Sequence, residues 1–224
     1  MSKRILKIRI PEYTFGEEVF NAISHGIGAE LSIAALVLMV IKAHGALAET
    51  AVSLFGSALI VLYTVSCVYH ALSKELKGKR VLRVIDHCNV YLLVFGTYIP
   101  ASLLGVKGVL GWVLFGITAV FTVIGITLTV IDVDRFNRLQ VICHLFNGWS
   151  ILAGIPQLLH NAGVQGVIWM ILGGVMYSVG SGIYAMGAKK TWSHSIFHLF
   201  CLAGSFSISG QFISTCFSRI IELD

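Results

Sequence analysis

Seven long stretches of apolar residues, separated by short polar breaks, run through the chain. They cover about residues 22–42, 51–72, 84–105, 109–131, 139–160, 165–187 and 195–216. Each is long enough for a helix to cross the roughly 30 Å hydrocarbon core of a bilayer, which takes about 20 residues. The second and fourth contain no Asp, Glu, Lys or Arg, and connections such as 42–50 and 161–166 are short. Backbone groups in hydrocarbon must be satisfied within their own segment, so these stretches are predicted to be helices packed as one bundle. No repeat, low-complexity tract or linker divides the chain. The expectation is a single all-α membrane domain over 1–224, a seven-transmembrane-helix bundle entered through a cytoplasmic segment at 1–21.

Composition agrees. The 224 residues are 56% hydrophobic and only 12% charged, about half the charged fraction of a soluble domain. The formal charge of +5 comes with no compact basic field interleaved with aromatics, so no nucleic acid is expected as a partner. Membrane lipids are the expected surroundings. The five cysteines (Cys67, Cys88, Cys143, Cys201 and Cys216) all fall in apolar segments without CxxC pairing, which reads as small buried thiols. No cleavable leader is read at 1–20, so the first span is expected to target the chain to the membrane, in a bacterium the plasma membrane.

The positive charge is asymmetric. Thirteen of the sixteen Lys and Arg fall at one end of the predicted bundle: Lys3, Arg4, Lys7, Arg9, Lys74, Lys77, Lys79, Arg80, Arg83, Arg135, Arg138, Lys189 and Lys190. Lys42, Lys107 and Arg219 fall at the other. The positive-inside rule then puts the N-terminus in the cytoplasm and the C-terminus outside. That polarity is opposite to a G-protein-coupled receptor, and the last span lacks the lysine a retinal protein requires.

Ionisable groups inside a membrane are costly and are functional candidates by default. Six of the eight histidines fall at the cytoplasmic ends of the spans: His25, His70, His87, His144, His194 and His198. Only His44 and His160 lie at the other end. His194-Ser-Ile-Phe-His198 puts two imidazoles on one helical face, able to reach one ion. They could equally be interfacial side chains satisfied by water. Ser66-Cys-Val-Tyr-His70 repeats the spacing, with His70 available as a third nitrogen and Ser66 as a hydrogen-bonding hydroxyl one turn deeper. Asp86 beside His87 needs a metal, a wet cavity or a cation; Arg83 and the helix N-terminus are the plain alternatives. Glu17, Asn21 and His25, with Ser24 beside them, form a polar stripe that is either support for a ligand site or a solvated helix face. Glu30, deeper in the same span, calls for protonation or a cavity. The roles of His25, His87 and His144 stay open.

In combination and order these elements resemble the hemolysin III family, the bacterial branch of the progestin and adipoQ receptor family. The resemblance rests on Glu17-Glu18…Asn21…Ser24-His25-Gly26, Ser66-x-x-x-His70, Asp86-His87-Cys88…Tyr91-Leu92-Leu93…Gly96-Thr97-Tyr98-x-Pro100 and His194-x-x-x-His198. It implies a seven-helix fold with the N-terminus inside. It implies Zn²⁺ held by His70, His194 and His198, with Asp86 near the metal through water. The wider superfamily includes alkaline ceramidases, so the resemblance also implies hydrolysis of a lipid amide or ester. Asp86 would serve as general base, Ser66 as oxyanion donor, and an acyl lipid as substrate. The other reading is a receptor-like or lipid-sensing protein with structural zinc. Relatives often carry a histidine ten residues after the last ligand, where this chain has Ile208. The family is named for cytolysis, but the chain offers no amphipathic hairpin or soluble precursor pattern for a secreted pore-former.

Overall fold

The computed structural model describes residues 8–187 and 190–218; side chains 137, 138, 187 and 215–218 are outside the description. Lys3, Arg4, Lys7, Arg138, Lys189, Cys216 and Arg219 therefore lie outside the described residues or side chains. Within these limits the protein is all helical, with no strand. Seven α-helices follow in order: α1 (Phe15–Lys42), α2 (Ala46–Ala71), α3 (Lys77–Pro100), α4 (Gly108–Ile131), α5 (Asn137–Trp149), α6 (Ile155–Gly187) and α7 (Ser193–Ser218). A π-helical turn, Ala101–Val106, extends α3, and a 3-10 turn, Ser150–Gly154, joins α5 to α6.

By length and composition, six continuous helical stretches can cross a membrane. One of them, Leu139–Met186, has 48 residues. At 1.5 Å per residue it would reach about 72 Å if straight, more than twice the hydrocarbon thickness. It is not straight. Gly163 sits at φ 69°, ψ 174°, outside helical space. Trp149 Nε1–H donates to Ser178 Oγ at 2.9 Å, and these residues lie 14 and 15 positions either side of Gly163. A continuous helix would hold them about 43 Å apart. The chain therefore doubles back at Gly163, inside the short polar break read at 161–166.

The bundle has its apolar side outward, as a lipid-solvated protein must. Phe15, Ile23, Ile27, Leu31 and Ile41 of α1 are exposed, while Glu17, Asn21, Ser24, His25 and Ser32 are buried. The polar stripe of α1 is thus a packed face. Glu30 lies on the exposed side of α1 and is not among the residues lining the histidine cavity.

One end of the bundle gathers the α1 entrance and the α2–α3, α4–α5 and α6–α7 connections. Lys74 Nζ donates to the Tyr13 carbonyl at 3.1 Å, Arg83 Nη2 pairs with Asp134 Oδ1 at 2.6 Å, and Trp192 N–H donates to Glu17 Oε1 at 2.6 Å. At the other end Asn161 Nδ2 donates to the Gly105 carbonyl at 2.9 Å, joining the π-helical turn after α3 to the Gly163 break within α6.

Between the ends, Met39, Phe55, Leu59, Leu93, Leu114, Leu158 and Phe212 form the apolar core. Two polar devices interrupt it. The Ser205 hydroxyl sits 2.6 Å from Tyr63 Oη and 2.8 Å from Tyr177 Oη, tying α7 to α2 and α6. Tyr98 Oη accepts from Ile151 N–H at 2.9 Å and contacts Ser150 Oγ at 2.8 Å, serving the backbone where α5 breaks into the 3-10 turn. Pro100, which has no N–H to continue the helical ladder, precedes the π-helical turn. Among the described cysteines, Cys67, Cys88, Cys143 and Cys201 are free thiols, half-buried where buried thiols were expected.

Candidate metal centre

α2 carries Ser66 and His70 in its last two turns, and α7 carries His194 and His198 in its first two. The start of α7 is fixed by Trp192, whose backbone adopts a left-handed φ of 66°. That conformation costs a non-glycine residue about 1–2 kcal/mol. Here the Trp192 N–H is held by Glu17 and its ring meets the Phe20 edge at 5.8 Å. Glu17 does this while also closing the α1 capping box, accepting from Thr14 N–H at 2.8 Å. One carboxylate therefore sets the starts of both α1 and α7.

Nitrogens of His70, His194 and His198 all lie within 4.8 Å of one another. His194 Nε2 and His198 Nε2 are 3.0 Å apart, near the roughly 3.3 Å expected for two nitrogens sharing a tetrahedral Zn²⁺. His70 Nδ1 lies 2.6 Å from Glu18 Oε2, which fixes the tautomer with the proton on Nδ1 and leaves the Nε2 lone pair free. That Nε2 is buried and bonded to nothing in the protein. A buried acceptor without a partner, aimed where two other imidazoles converge, fits a metal ion. A carboxylate behind a ligating histidine is its usual support.

Glu18 in turn accepts from Lys79 Nζ at 2.6 Å, and Lys79 also donates to the Leu72 carbonyl at 2.8 Å. Lys79 is 1% exposed, an arrangement a lysine tolerates only when paired. Its ammonium also lies 5.1 Å from the Tyr69 ring centroid. Sequence reading quoted Glu18 for the resemblance but assigned it no role. The available signal was its position one helical residue off the polar stripe.

Two aromatic rings lie flat on the α7 imidazoles. Tyr13 stacks on His194 at 4.9 Å and 14°, and His25 stacks on His198 at 3.7 Å and 13°. Burial, with Tyr69 and Tyr184 adding to it, pushes the Tyr13 phenol upward, so it stays protonated. Tyr13 belongs to the strap leading into α1, whose carbonyls at Ile8 and Arg9 accept from Arg80 and Arg83.

Asp86 is half-buried on α3 and lines a cavity of about 210 Å³ that His25, His194 and His198 also line. It does not take Arg83 as its partner. That guanidinium goes to Asp134 instead, which removes the plain ion-pair explanation for Asp86. Burial raises the Asp134 carboxyl, but the hydrogen bond and charge of Arg83 outweigh it and hold the group below the usual carboxylate range. Ser66 is 1% exposed, and its hydroxyl lies beside the Asp86 carboxyl.

His87 and His144 line the same cavity from α3 and α5. His87 Nδ1 is committed to the Arg83 carbonyl at 2.9 Å, and His144 packs against Tyr91 at 3.8 Å. Beyond this polar end the walls are apolar, with Leu62, Leu93, Val94, Ile151, Met170 and Ile208 among them. Ile208 is thus a buried wall of the cavity.

A profile of the family described as haemolysin-III related matches residues 13–208. The chain is 38% identical over 192 residues to Hemolysin-3 of Bacillus cereus, covering 84% of this chain and 87% of that protein. It is 36% identical over 196 residues to the Hemolysin-3 homolog of Bacillus subtilis, covering 86% and 91%. A more distant likeness, 23% over 186 residues, joins 68% of the chain to 39% of the adiponectin receptor protein of Drosophila melanogaster. With its apolar helices, this makes the protein a multi-pass membrane protein, placed in bacteria in the cell membrane. By profile and by sequence identity over most of its length, the chain belongs to the haemolysin-III-related family.

Proposed function

We propose that the protein binds one Zn²⁺ through His70, His194 and His198 and uses it to hydrolyse an amide or ester of a membrane lipid. The observation that carries this is the convergence of three imidazoles, two of which, His194 and His198, line an apolar cavity that Asp86 also lines. A structural site needs no such cavity. Three imidazoles favour Zn²⁺ over Mg²⁺ or Ca²⁺, which prefer all-oxygen shells. Zinc with three protein ligands supplies Lewis acidity and brings the pKa of a coordinated water towards about 7.

The chain's own residues do the rest. Asp86 orients the attacking water and takes its proton. Ser66, beside Asp86, donates to the oxygen of the scissile carbonyl as charge develops there. Leu62, Leu93, Met170 and Ile208 enclose the acyl chain and exclude water from it.

The topology that serves this chemistry is one seven-crossing domain with its N-terminus in the cytoplasm. The doubling back at Gly163 supports the seventh crossing, and the Lys and Arg distribution supports the orientation. A lipid then enters from the cytoplasmic leaflet with its carbonyl at the level of the histidines.

The second reading is structural zinc that pins α2 to α7 in a receptor-like bundle. It is favoured by the Glu18–Lys79 support behind His70 and by the distant likeness to an adiponectin receptor. Asp86→Asn separates the two. For a hydrolase, the zinc-loaded variant keeps metal and fold but stops releasing fatty acid from ceramides or other acyl lipids. Wild-type protein that is zinc-loaded yet releases no fatty acid from such a panel decides for the structural reading.

A further inference from the structure

His25 and Asn21 lie one turn apart on the buried face of α1, at 4% and 0% exposure. Neither ring nitrogen of His25 has a hydrogen-bond partner in the protein, and neither does the Asn21 amide nitrogen or oxygen. A buried polar atom left unpaired costs about 1–3 kcal/mol, and native proteins seldom leave one so. A neutral imidazole presents one donor and one acceptor, so His25 alone leaves two such atoms to satisfy.

Packing does not account for an imidazole at this position. The His25 ring lies flat on His198 at 3.7 Å and meets the Tyr63 ring edge-on at 5.0 Å and 85°. A phenyl ring would make both contacts with no polar atom to bury. Nor is His25 one of the three histidines whose nitrogens converge within 4.8 Å. It does line the cavity, together with Asp86, His194 and His198. An unpaired, buried hydrogen-bonding group in the wall of a site, stacked against a ligating ring, is placed to meet whatever binds there.

We propose that His25 is the hydrogen-bonding partner of the oxygen ligand that occupies the open position of the His70–His194–His198 centre. That ligand is a water, or the oxygen of a carbonyl compound. His25 approaches it from α1, while Asp86 lies in the cavity wall contributed by α3. The stack on His198 fixes the plane of the His25 ring, so its nitrogens stay aimed while its face is spent on packing. The assignment rests on the metal reading but not on the hydrolase one, since a structural site with an open position would need the same partner.

The test uses the full chain in detergent micelles, loaded with Co²⁺ as a spectroscopic stand-in for Zn²⁺ and titrated with acetohydroxamic acid. Bound metal per chain is measured alongside. His25→Phe should keep one metal per chain and bind acetohydroxamate on the order of tenfold more weakly, the loss of one hydrogen bond. His25→Gln, which retains a donor and an acceptor, should recover most of that affinity. Equal acetohydroxamate binding by wild type and His25→Phe, both fully loaded, overturns the proposal. So does loss of the metal itself in both variants, because His25 would then be a ligand. Should the Phe variant not fold, His25→Met against His25→Gln makes the same comparison. Wild-type protein that takes up no metal overturns the metal reading and this proposal together, an outcome distinct from the other two.

Discussion

Glu18 Oε2 lies 2.6 Å from His70 Nδ1, and its other oxygen lies 2.6 Å from the Lys79 ammonium. Glu18 is thus a bridge from the first helix to the cluster on α2 and α7. Removing such a support behind a ligating histidine typically costs about 10–100-fold in metal affinity. Glu18→Gln alone leaves the Lys79 charge buried without a carboxylate, a loss of about 3–5 kcal/mol in stability. The double change Glu18→Gln with Lys79→Met removes both charges. It should fold as wild type does and bind zinc about 10–100-fold more weakly in competition with a chelator. Unchanged affinity in the double variant would mean that Glu18 serves packing alone.

Asp134 gives the stability a defined acid limb. Its folded pKa lies below the ordinary value of about 3.9, so its contribution is complete above that value. The contribution fades as pH falls through the folded pKa. Asp134→Asn should lower stability at pH 7 by about 1–2 kcal/mol, a figure reduced because the Asp134 side chain is 40% exposed. The variant and wild type should converge in thermal unfolding as pH falls well below the ordinary carboxylate range. A constant gap across that range would exclude the ion pair as its source.

Gly125 is a close-approach position between α4 and α3. A Cβ there would stand 2.0 Å from Tyr91 Cε1, on the ring that packs over His144. Gly125→Ala should therefore cost about 1–3 kcal/mol through overpacking, read as a lower thermal midpoint in detergent. Gly116→Ala, where nothing lies within 4 Å of the added carbon, is the control and should be near neutral.

Fusions at Asp224 distinguish seven crossings from six, because the two counts put the C-terminus on opposite sides. With the N-terminus in the cytoplasm, alkaline phosphatase fused there should be active and a green fluorescent protein should be dark. Fluorescence without phosphatase activity would contradict the seventh crossing.

Much of this was legible in the sequence because the bilayer imposes one-dimensional rules. Span length, the clustering of Lys and Arg, and the i,i+4 spacing of His194 and His198 are local quantities. The break at Gly163 fell within the polar interval read at 161–166. What the sequence hid depends on which face of a helix meets which neighbour. The α1 stripe could be solvated or packed, and only the placement of Tyr63 and His198 against His25 decides for packed. Arg83 sits one turn before Asp86 and was one plain alternative as its partner, yet it pairs with Asp134, 51 residues away. Tyr13 carries no motif, and its stack on His194 follows from the strap that Lys74, Arg80 and Arg83 hold. Glu18 entered only as part of Glu17-Glu18, because its bonds to His70 and Lys79 span 52 and 61 residues.

The account depends most on the metal. Elemental analysis of the full chain, purified without added chelator, tests it directly. One zinc per chain is expected in wild type, with none in the double variant His194→Ala, His198→Ala. Stoichiometric zinc retained by that variant, or none in wild type after incubation with Zn²⁺, would contradict the centre formed by His70, His194 and His198.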